Sequence, residues 1–401
     1  MRKKLLGPGT LITAAFIGPG TITTCIKSGY EFGYSLILYM IVATIIAICI
    51  QFFSAKIGAF TSKGMSENIA YTFRNSHCKY LIYGVVILAI FIGNSAFEAG
   101  NITGASIGLV GLSDEMPISV AYVIIAMIAG LLLWKGDYTI IERFLKVIVI
   151  IMVISFVSSA IILNPSVQEI LKGITDITFK GTGLSLGVAL LGTTIGPYSI
   201  FLHSRAAAEH WDNTVDVKHI VFDTIFSIGL GGIISLAIMI SSAAISEKAN
   251  ITTLSMTNYA SALSEPLGKI GEYVFYIGLF SAGLSSAITA PLAAAYTVVG
   301  MTNINNKYKK ELLFRFVWAL VLIIGLFVTF IFGSTPATII IGVQIVNAII
   351  LPIIIFFLIA ICNSNALNNQ KNGIIGNIVL AISFAVILLL SSIIIKDRLS
   401  L

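Results

Sequence analysis

The stretch Ile-Gly-Pro-Gly-Thr-Ile at residues 17–22 lies inside an apolar segment that is long enough to span a membrane. A proline in a helix interior removes a backbone donor and clashes with the preceding turn, at a cost of about 3 kcal/mol, and glycine adds backbone freedom that folding must restrict. Backbone that opens at this depth cannot face lipid, because its N–H and C=O groups would have no partner there. The stretch therefore predicts a helix that is interrupted beside an enclosed, hydrated cavity.

The composition indicates a membrane protein. Of 401 residues, 57% are hydrophobic and 10% are charged, and the mean hydropathy is +0.99. A soluble domain does not need so apolar a composition. The net charge of +6 is explained by basic residues at the cytoplasmic ends of membrane helices rather than by binding to nucleic acid. We therefore expect membrane lipid, and not nucleic acid, as the surroundings of this chain.

Runs of about 20 apolar residues predict an all-α polytopic protein with eleven transmembrane helices in one domain, residues 1–401. The predicted spans lie near 9–30 (broken), 34–56, 80–110, 117–135, 139–163, 184–207 (broken), 219–244, 270–299, 312–332, 336–362 and 373–395. Basic residues precede the first span and cluster in the 2–3 and 8–9 connections, so we expect a cytoplasmic N-terminus. We expect the protein in the cytoplasmic membrane of a bacterium.

A second copy of the opening stretch lies in the sixth span. Residues 195–200 read Ile-Gly-Pro-Tyr-Ser-Ile, identical to residues 17–22 at four of six positions, with Ser199 in the place of Thr21. Each copy interrupts the first helix of a set of five, and an odd number of spans turns the second set over in the membrane. This predicts an inverted repeat of the leucine-transporter type, with repeats near 9–163 and 184–362 and an extra helix near 373–395. We expect the two broken helices to be unwound at Gly18–Gly20 and at Gly196–Pro197. Paired interruptions of this kind indicate a transporter's binding site, although a simple proline kink would explain either one alone.

The sequence resembles the Nramp family (natural resistance-associated macrophage protein) of proton-coupled divalent metal transporters, which share the leucine-transporter fold. The family's helix 1 carries Asp-Pro-Gly-Asn and a later Phe-Gly-Tyr-Ser-Leu, like residues 18–21 and 32–36 here. Its helix 6 carries Met-Pro-His before Tyr-Leu-His-Ser, like residues 196–198 and 201–204. A glutamate in helix 3 resembles Glu98, and a glutamine eight residues before a helix 10 proline resembles Gln344 and Pro352. The resemblance runs through ten helices in order.

The resemblance also implies which residues would hold the metal, and here this chain departs from the family. The family's aspartate, asparagine, methionine and alanine ligands correspond to Gly18, Thr21, Gly196 and Thr193. Tyr198 stands where the family has a histidine. A divalent ion that leaves water needs anionic oxygen, or sulfur for the softer metals, so the sequence leaves the metal ligands unassigned.

Three polar residues in the remaining spans are further candidates. Glu98 is the one carboxylate deep in a predicted helix, and an ionisable residue inside the membrane indicates a proton or charge relay, unless it is only a hydrogen-bonded structural acid. Gln344 and Asn347 lie three apart and share a helix face, where they would be ligands or helix-to-helix contacts. His203 belongs to a group with Glu209, His210 and His219 that we expect in a solvated loop.

These features predict a secondary transporter that moves a divalent metal ion by alternating access, with proton coupling as an option and no cofactor. The alternative is a transporter of a small organic solute such as an amino acid or organic acid, because Gly18, Thr21 and Gly196 replace the metal-binding side chains. A channel is a third, less favoured class, and the chain lacks the HExxH and GxSxG motifs of membrane enzymes. The oligomeric state and transport direction stay open. The predicted substrate site comprises Gly18, Pro19, Gly20, Thr21, Thr193, Gly196, Pro197, Tyr198, Ser199, Gln344 and Asn347, with Glu98 as the relay.

Overall fold

The computed structural model describes residues 7–113, 115–136, 138–176, 181–246, 256–302, 304–332 and 337–399. In these ranges the chain forms fifteen α-helices and one 3-10 helix, and no strand. The helices are α1 (Gly9–Phe16), α2 (Pro19–Phe32), α3 (Ile37–Thr61), α4 (Met65–Thr72), α5 (Lys79–Gly111), α6 (Ile118–Lys135), α7 (Tyr138–Ile162), α8 (Val167–Thr175), α9 (Gly181–Thr194), α10 (Pro197–His210), α11 (Val217–Ser246), α12 (Met256–Met301), α13 (Lys307–Phe332), α14 (Ala337–Cys362) and α15 (Ile374–Leu399), with the 3-10 helix at Asn365–Gln370.

The membrane spans agree with the prediction. Within the described ranges, ten helices are long and apolar enough to cross a membrane, and an eleventh span results when α1 and α2, which meet at an angle of 60°, are taken as one. The sixth span consists of α9 and α10. The all-α class, the eleven spans and the broken first and sixth helices are therefore confirmed.

Both breaks are narrower than we predicted. The interruption of the first span is at Ile17 and Gly18, and Pro19 and Gly20 already belong to α2. In the sixth span Ile195 and Gly196 lie between the helices, and Pro197 begins α10. Proline suits the first position of a helix, because its missing N–H is one that a helix start leaves unpaired anyway. Each proline therefore starts the second half-helix, and the expectation of unwound backbone at Pro19, Gly20 and Pro197 was wrong.

Short helices outside the spans were not predicted, because they are too short to form an apolar run. The α4 helix begins after Gly64, whose N–H donates to the Glu67 carboxylate at 2.7 Å. The α8 helix begins after Ser166, whose Oγ accepts from the Glu169 N–H at 3.4 Å. A capping residue followed three positions later by glutamate is a helix-start signal. This capping signal at Gly64–Glu67 and at Ser166–Glu169 would have predicted both short helices.

The half-helix α1 is fastened to α11 by a buried carboxylate. Asp223 of α11 accepts hydrogen bonds from the N–H groups of Gly7 (2.7 Å) and Gly9 (2.9 Å), and its side chain is fully buried. The hydroxyl of Thr13 donates to the Ser227 carbonyl of α11 at 2.6 Å. A negative charge at a helix N-terminus is stabilising, because the N–H groups there lack helical partners. These contacts hold the first half of the broken span in place.

The two broken spans lie at the centre of the helix bundle. The α9–α10 span and α12 are the most buried of the described spans, whereas α5, α6, α13 and α15 expose apolar side chains to the surroundings. The α2 helix packs on α9 and α11, and α10 packs on α3. Close approach depends on small residues: a Cβ atom at Gly192 of α9 would lie 2.0 Å from the Gln344 carbonyl oxygen of α14.

Candidate functional site

A pair of hydroxyl groups joins the two breaks directly. The Oγ1 atoms of Thr21 in α2 and Thr193 in α9 lie 2.6 Å apart, and Thr21 also donates to the Phe16 carbonyl at the end of α1. A threonine hydroxyl has one proton, so with the Thr21 proton on Phe16, Thr193 is the donor of the pair. The predicted neighbourhood of the two interruptions is thus present in the structure.

The last carbonyl groups of α1 are satisfied by hydroxyl groups from other helices. Ser285 of α12 donates to the Ala14 carbonyl at 3.0 Å, and Ser286 donates to the Ala15 carbonyl at 3.3 Å. Tyr198 of α10 also donates to the Ala15 carbonyl. A helix end buried without partners would be costly. The break in the first span is therefore stabilised by polar groups that the rest of the bundle supplies.

A small cavity lies between the two breaks. Its volume is about 10 Å³, which gives room for roughly one water molecule. Seven of the predicted site residues line it: Gly18, Gly20, Thr21, Thr193, Gly196, Tyr198 and Gln344. Five residues that we did not predict complete the lining: Phe16, Phe97, Asn101, Gly192 and Ser286.

Four of the predicted site residues have other surroundings. The ring of Pro19 packs against α5, where a Cβ atom at Gly104 would lie 2.3 Å from its Cγ. Pro197 and Asn347 are absent from the cavity lining. Ser199 donates to the Gly196 carbonyl at 2.7 Å and accepts from the Gln51 amide at 2.6 Å. Pro19 and Ser199 therefore contribute to the packing of the half-helices rather than to the cavity wall.

Gln344 contributes an unsatisfied oxygen to the site. Its side chain is 2% exposed, and its Oε1 atom is buried without a hydrogen-bond partner among the described residues. Buried polar atoms nearly always have a partner, and each exception needs an explanation. A bound ion at the cavity would supply the missing partner.

Glu98 is buried in α5 and lies behind Asn101, a residue of the cavity lining. It is fully inaccessible, its Oε2 accepts from the Asn101 amide at 3.3 Å, and its Oε1 has no partner among the described residues. It packs on α13, where a Cβ atom at Gly325 would lie 2.5 Å from its Cγ. Asn101 contacts the Glu98 carboxylate and also lines the cavity, so it connects Glu98 to the cavity. Its position three residues after Glu98, on the same helix face, was the available signal for it.

The space beside Gly18 is occupied by a serine. A Cβ atom at position 18 would lie 2.6 Å from the Ser286 Oγ and 3.5 Å from the Asn101 Oδ1. Ser286 also lines the cavity. The absence of a side chain at Gly18 therefore leaves no large void, contrary to what a glycine in place of an aspartate suggests.

His203 is not in a solvated loop, and this expectation was wrong. It is fully buried in α10, and its Nδ1 lies 3.0 Å from the Gln51 Oε1. Gln51 in turn donates to Ser199, so one amide of α3 connects His203 to the second break. Glu209 pairs instead with Arg205 at the end of α10. The helix continues to His210, beyond the apolar run that we used to place its end. No group of three or more His, Cys, Asp or Glu residues suited to a metal is found within the described ranges.

The family described as "Natural resistance-associated macrophage protein-like" matches residues 9–397 of the chain. A "Divalent metal cation transporter MntH" from Mycobacterium tuberculosis is 26% identical over 308 residues, which are 74% of this chain and 70% of that protein. The protein of the same name from Klebsiella pneumoniae is 25% identical over 393 residues, 94% of this chain and 91% of that protein.

Solved structures show the same fold. The manganese transporter of Eremococcus coleocola, in complex with an aromatic bis-isothiourea substituted compound, has a TM-score of 0.79 at 20% sequence identity. The match covers 98% of this chain and 86% of the chain of that transporter. A nucleobase-cation-symport-1 family transporter with bromovinylhydantoin bound has a TM-score of 0.67 at 13% sequence identity. That match covers 96% of this chain and 91% of the transporter's chain. At these identities the likeness concerns the fold.

Proposed function

The chain belongs to the natural resistance-associated macrophage protein-like (Nramp) family, and on that premise we propose that it carries a divalent metal ion across the membrane by alternating access. The observation that supports this proposal best is the oxygen-lined cavity between the two helix breaks. Its relatives in Mycobacterium tuberculosis and Klebsiella pneumoniae are named as divalent metal cation transporters. An integral membrane transporter of this family is embedded in lipid and takes a small ion as substrate.

The atoms available to the ion are mostly neutral oxygens. Thr21 and Thr193 supply hydroxyl groups, and Asn101 and Gln344 supply side-chain amides. Glu98 adds one carboxylate close behind Asn101. Neutral oxygen and carboxylate groups suit hard cations, whereas the softer metals gain from sulfur or nitrogen ligands. We propose that these five residues form the ion's surroundings, with Ser286 filling the space beside Gly18.

The size of the cavity favours an ion over an organic solute. Space for roughly one water molecule accommodates a cation that has shed most of its hydration shell, whereas an amino acid has several heavy atoms more. The glycines at positions 18 and 196 do not open a larger chamber, because Ser286 and Tyr198 occupy the neighbouring space. The amino acid or organic acid alternative thus gains no support from the site.

The two breaks are suited to alternating access. Backbone at Ile17–Gly18 and Ile195–Gly196 lacks continuous helical hydrogen bonding, so each half-helix can rotate against its partner. Glu98 is proposed as the proton or charge relay, because it is buried, its Oε1 has no hydrogen-bond partner among the residues that the structure describes, and Asn101 links it to the cavity. The cytoplasmic N-terminus and the bacterial cytoplasmic membrane belong to the same proposal.

The test is uptake into proteoliposomes that contain the purified protein. Initial rates are measured for Mn²⁺, Mg²⁺ and Ca²⁺ and, in parallel, for a mixture of radiolabelled amino acids. We expect saturable uptake of at least one of the metals and none of the amino acids. The variant Gln344→Ala should raise the KM for the metal about tenfold, which corresponds to about 1.4 kcal/mol.

Asn347→Ala is the matched control, because it removes a neighbouring amide of α14 that does not line the cavity. Its uptake should stay within about twofold of the unmodified protein, a difference below roughly 0.5 kcal/mol. Amino acid uptake in the absence of metal uptake would overturn the proposal. An equal loss of metal uptake in Gln344→Ala and Asn347→Ala would show that Gln344 does not bind the ion.

A further inference from the structure

A large groove runs along the outside of the protein, apart from the cavity between the breaks. It has a volume of about 830 Å³ and lies between α3, α11 and the start of α15. Its walls are mainly apolar and include Ile48, Phe52, Val221, Ile225, Ile375 and Val379. Ile225 is 52% exposed and Ile375 is 80% exposed, so the groove opens toward the lipid.

The wall of this groove contains a lysine, Lys56, that has no carboxylate partner in the part of the chain that the structure describes. Lys56 of α3 is 9% exposed, and its Nζ donates to the Asn372 Oδ1 at 3.0 Å. No carboxylate of the described ranges lies within the 4.0 Å limit of an ion pair with it. None of the residues that line the groove is acidic. A charge in apolar surroundings is costly unless it is paired, so the groove is complementary to a negative group.

A helix start lies at the same space. The first turn of α15, at Ile374 to Gly376, also lines the groove, and the N–H groups of a first turn have no partner within their own helix. Such N–H groups bind phosphate readily. The ammonium of Lys56 and the start of α15 are independent observations that indicate an anionic, oxygen-rich group.

We propose that an anionic phospholipid binds in this groove, with its phosphate at Lys56, Asn372 and the start of α15. Its acyl chains lie along the apolar walls formed by Ile48, Phe52 and Ile225. Free phosphate would satisfy the cation but leave these walls unfilled, and a zwitterionic lipid would bring its own positive charge to Lys56. Basic pockets between membrane helices recognise anionic headgroups in this way. The lipid joins α15 to the bundle through α3 and α11.

Native mass spectrometry of the full chain, stripped of lipid in detergent, tests this proposal. The protein is titrated with dioleoylphosphatidylglycerol, with dioleoylphosphatidylcholine, which has the same acyl chains, and with inorganic phosphate. We expect the anionic lipid to bind at least tenfold more tightly than the zwitterionic one, and phosphate not to compete at equal concentration. Lys56→Gln should abolish this preference.

Two further variants test whether the lipid binds in this groove. Lys135→Gln removes an exposed lysine at the end of α6, outside the groove, and should keep the full preference for the anionic lipid. Ile225→Trp fills the groove from its exposed side and should weaken binding about tenfold with Lys56 intact. Equal binding of both lipids, or an unchanged preference in Lys56→Gln, would overturn the proposal.

Discussion

The hydroxyl oxygens of Thr21 and Thr193 lie 2.6 Å apart although 172 residues separate them in the sequence. Each belongs to a half-helix next to a break, so this contact joins the two interrupted spans at the wall of the cavity. The Thr21 proton is committed to the Phe16 carbonyl, which leaves Thr193 as the donor between the two. Relative movement of the half-helices must change this contact.

Replacing the donor tests whether this contact matters for transport. Thr193→Val keeps the shape of the side chain and removes the hydroxyl, at a cost to stability of about 1 kcal/mol for the lost hydrogen bond. We expect the initial rate of metal uptake to fall at least tenfold, because an oxygen of the cavity is lost as well. Thr297→Val is the control, since Thr297 is fully buried and its hydroxyl donates to the Ala293 carbonyl within its own helix. A similar fall in both variants would count against the role of Thr193.

Restoring a carboxylate at position 18 should increase metal affinity only when space is made for it. A Cβ atom there would lie 2.6 Å from the Ser286 Oγ, so Gly18→Asp alone should disturb the fold around α12. Combined with Ser286→Gly, we expect it to tighten Mn²⁺ binding at least tenfold, about 1.4 kcal/mol or more. Isothermal titration calorimetry measures both variants. Ser286→Gly alone is the reference, and no gain in the double variant would mean that position 18 does not face the ion.

The carboxylate of Glu98 should be needed for transport rather than for folding. Glu98→Gln keeps the size of the side chain and an oxygen for the Asn101 amide, so the melting temperature should change little. We expect uptake of metal to fall at least tenfold and to lose its dependence on an imposed proton gradient. Glu169→Gln, on the exposed surface of α8, should leave both properties as they are. Unchanged proton dependence in Glu98→Gln would make this residue structural only.

The anchor of α1 should be the most sensitive position for stability outside the cavity. Asp223→Ala removes the acceptor of the Gly7 and Gly9 N–H groups and leaves these donors buried, at a cost of about 1–3 kcal/mol. Asp223→Asn retains one acceptor oxygen and should cost less. Thermal unfolding in detergent measures the difference. Asp176→Ala, at the exposed end of α8, is the control, and equal melting temperatures for all variants would show that α1 is held by other contacts.

Much of the fold could be predicted because the membrane imposes it. Lipid requires long apolar helices, and the repeated Ile-Gly-Pro at residues 17–19 and 195–197 marks where two of them are interrupted. The sequence could not give the exact break, because a proline both ends one helix and begins the next. Here the second effect prevails at Pro19 and Pro197.

The candidate site could be predicted only in part, for reasons of packing. Residues adjacent to the breaks, such as Thr21 and Thr193, follow from the repeated pattern. Ser286 comes from a helix whose rotation toward the centre is set by tertiary contacts, which one sequence does not reveal. Asn101 could have been identified from its position three residues after Glu98 on the same helix face. His203 was misplaced because it was grouped with Glu209, His210 and His219 near the predicted end of the sixth span, whereas α10 extends to His210 and buries His203 inside the protein.

The central claim is that the metal ion binds between the two helix breaks, and anomalous diffraction from crystals soaked in Mn²⁺ tests it most directly. The account predicts one strong anomalous peak within about 2.0–2.6 Å of oxygens from Thr21, Thr193, Asn101 or Gln344, weakened in Gln344→Ala and kept in Asn347→Ala. A strong peak elsewhere in the protein, with the cavity between Gly18 and Gly196 empty at saturating Mn²⁺, would contradict it.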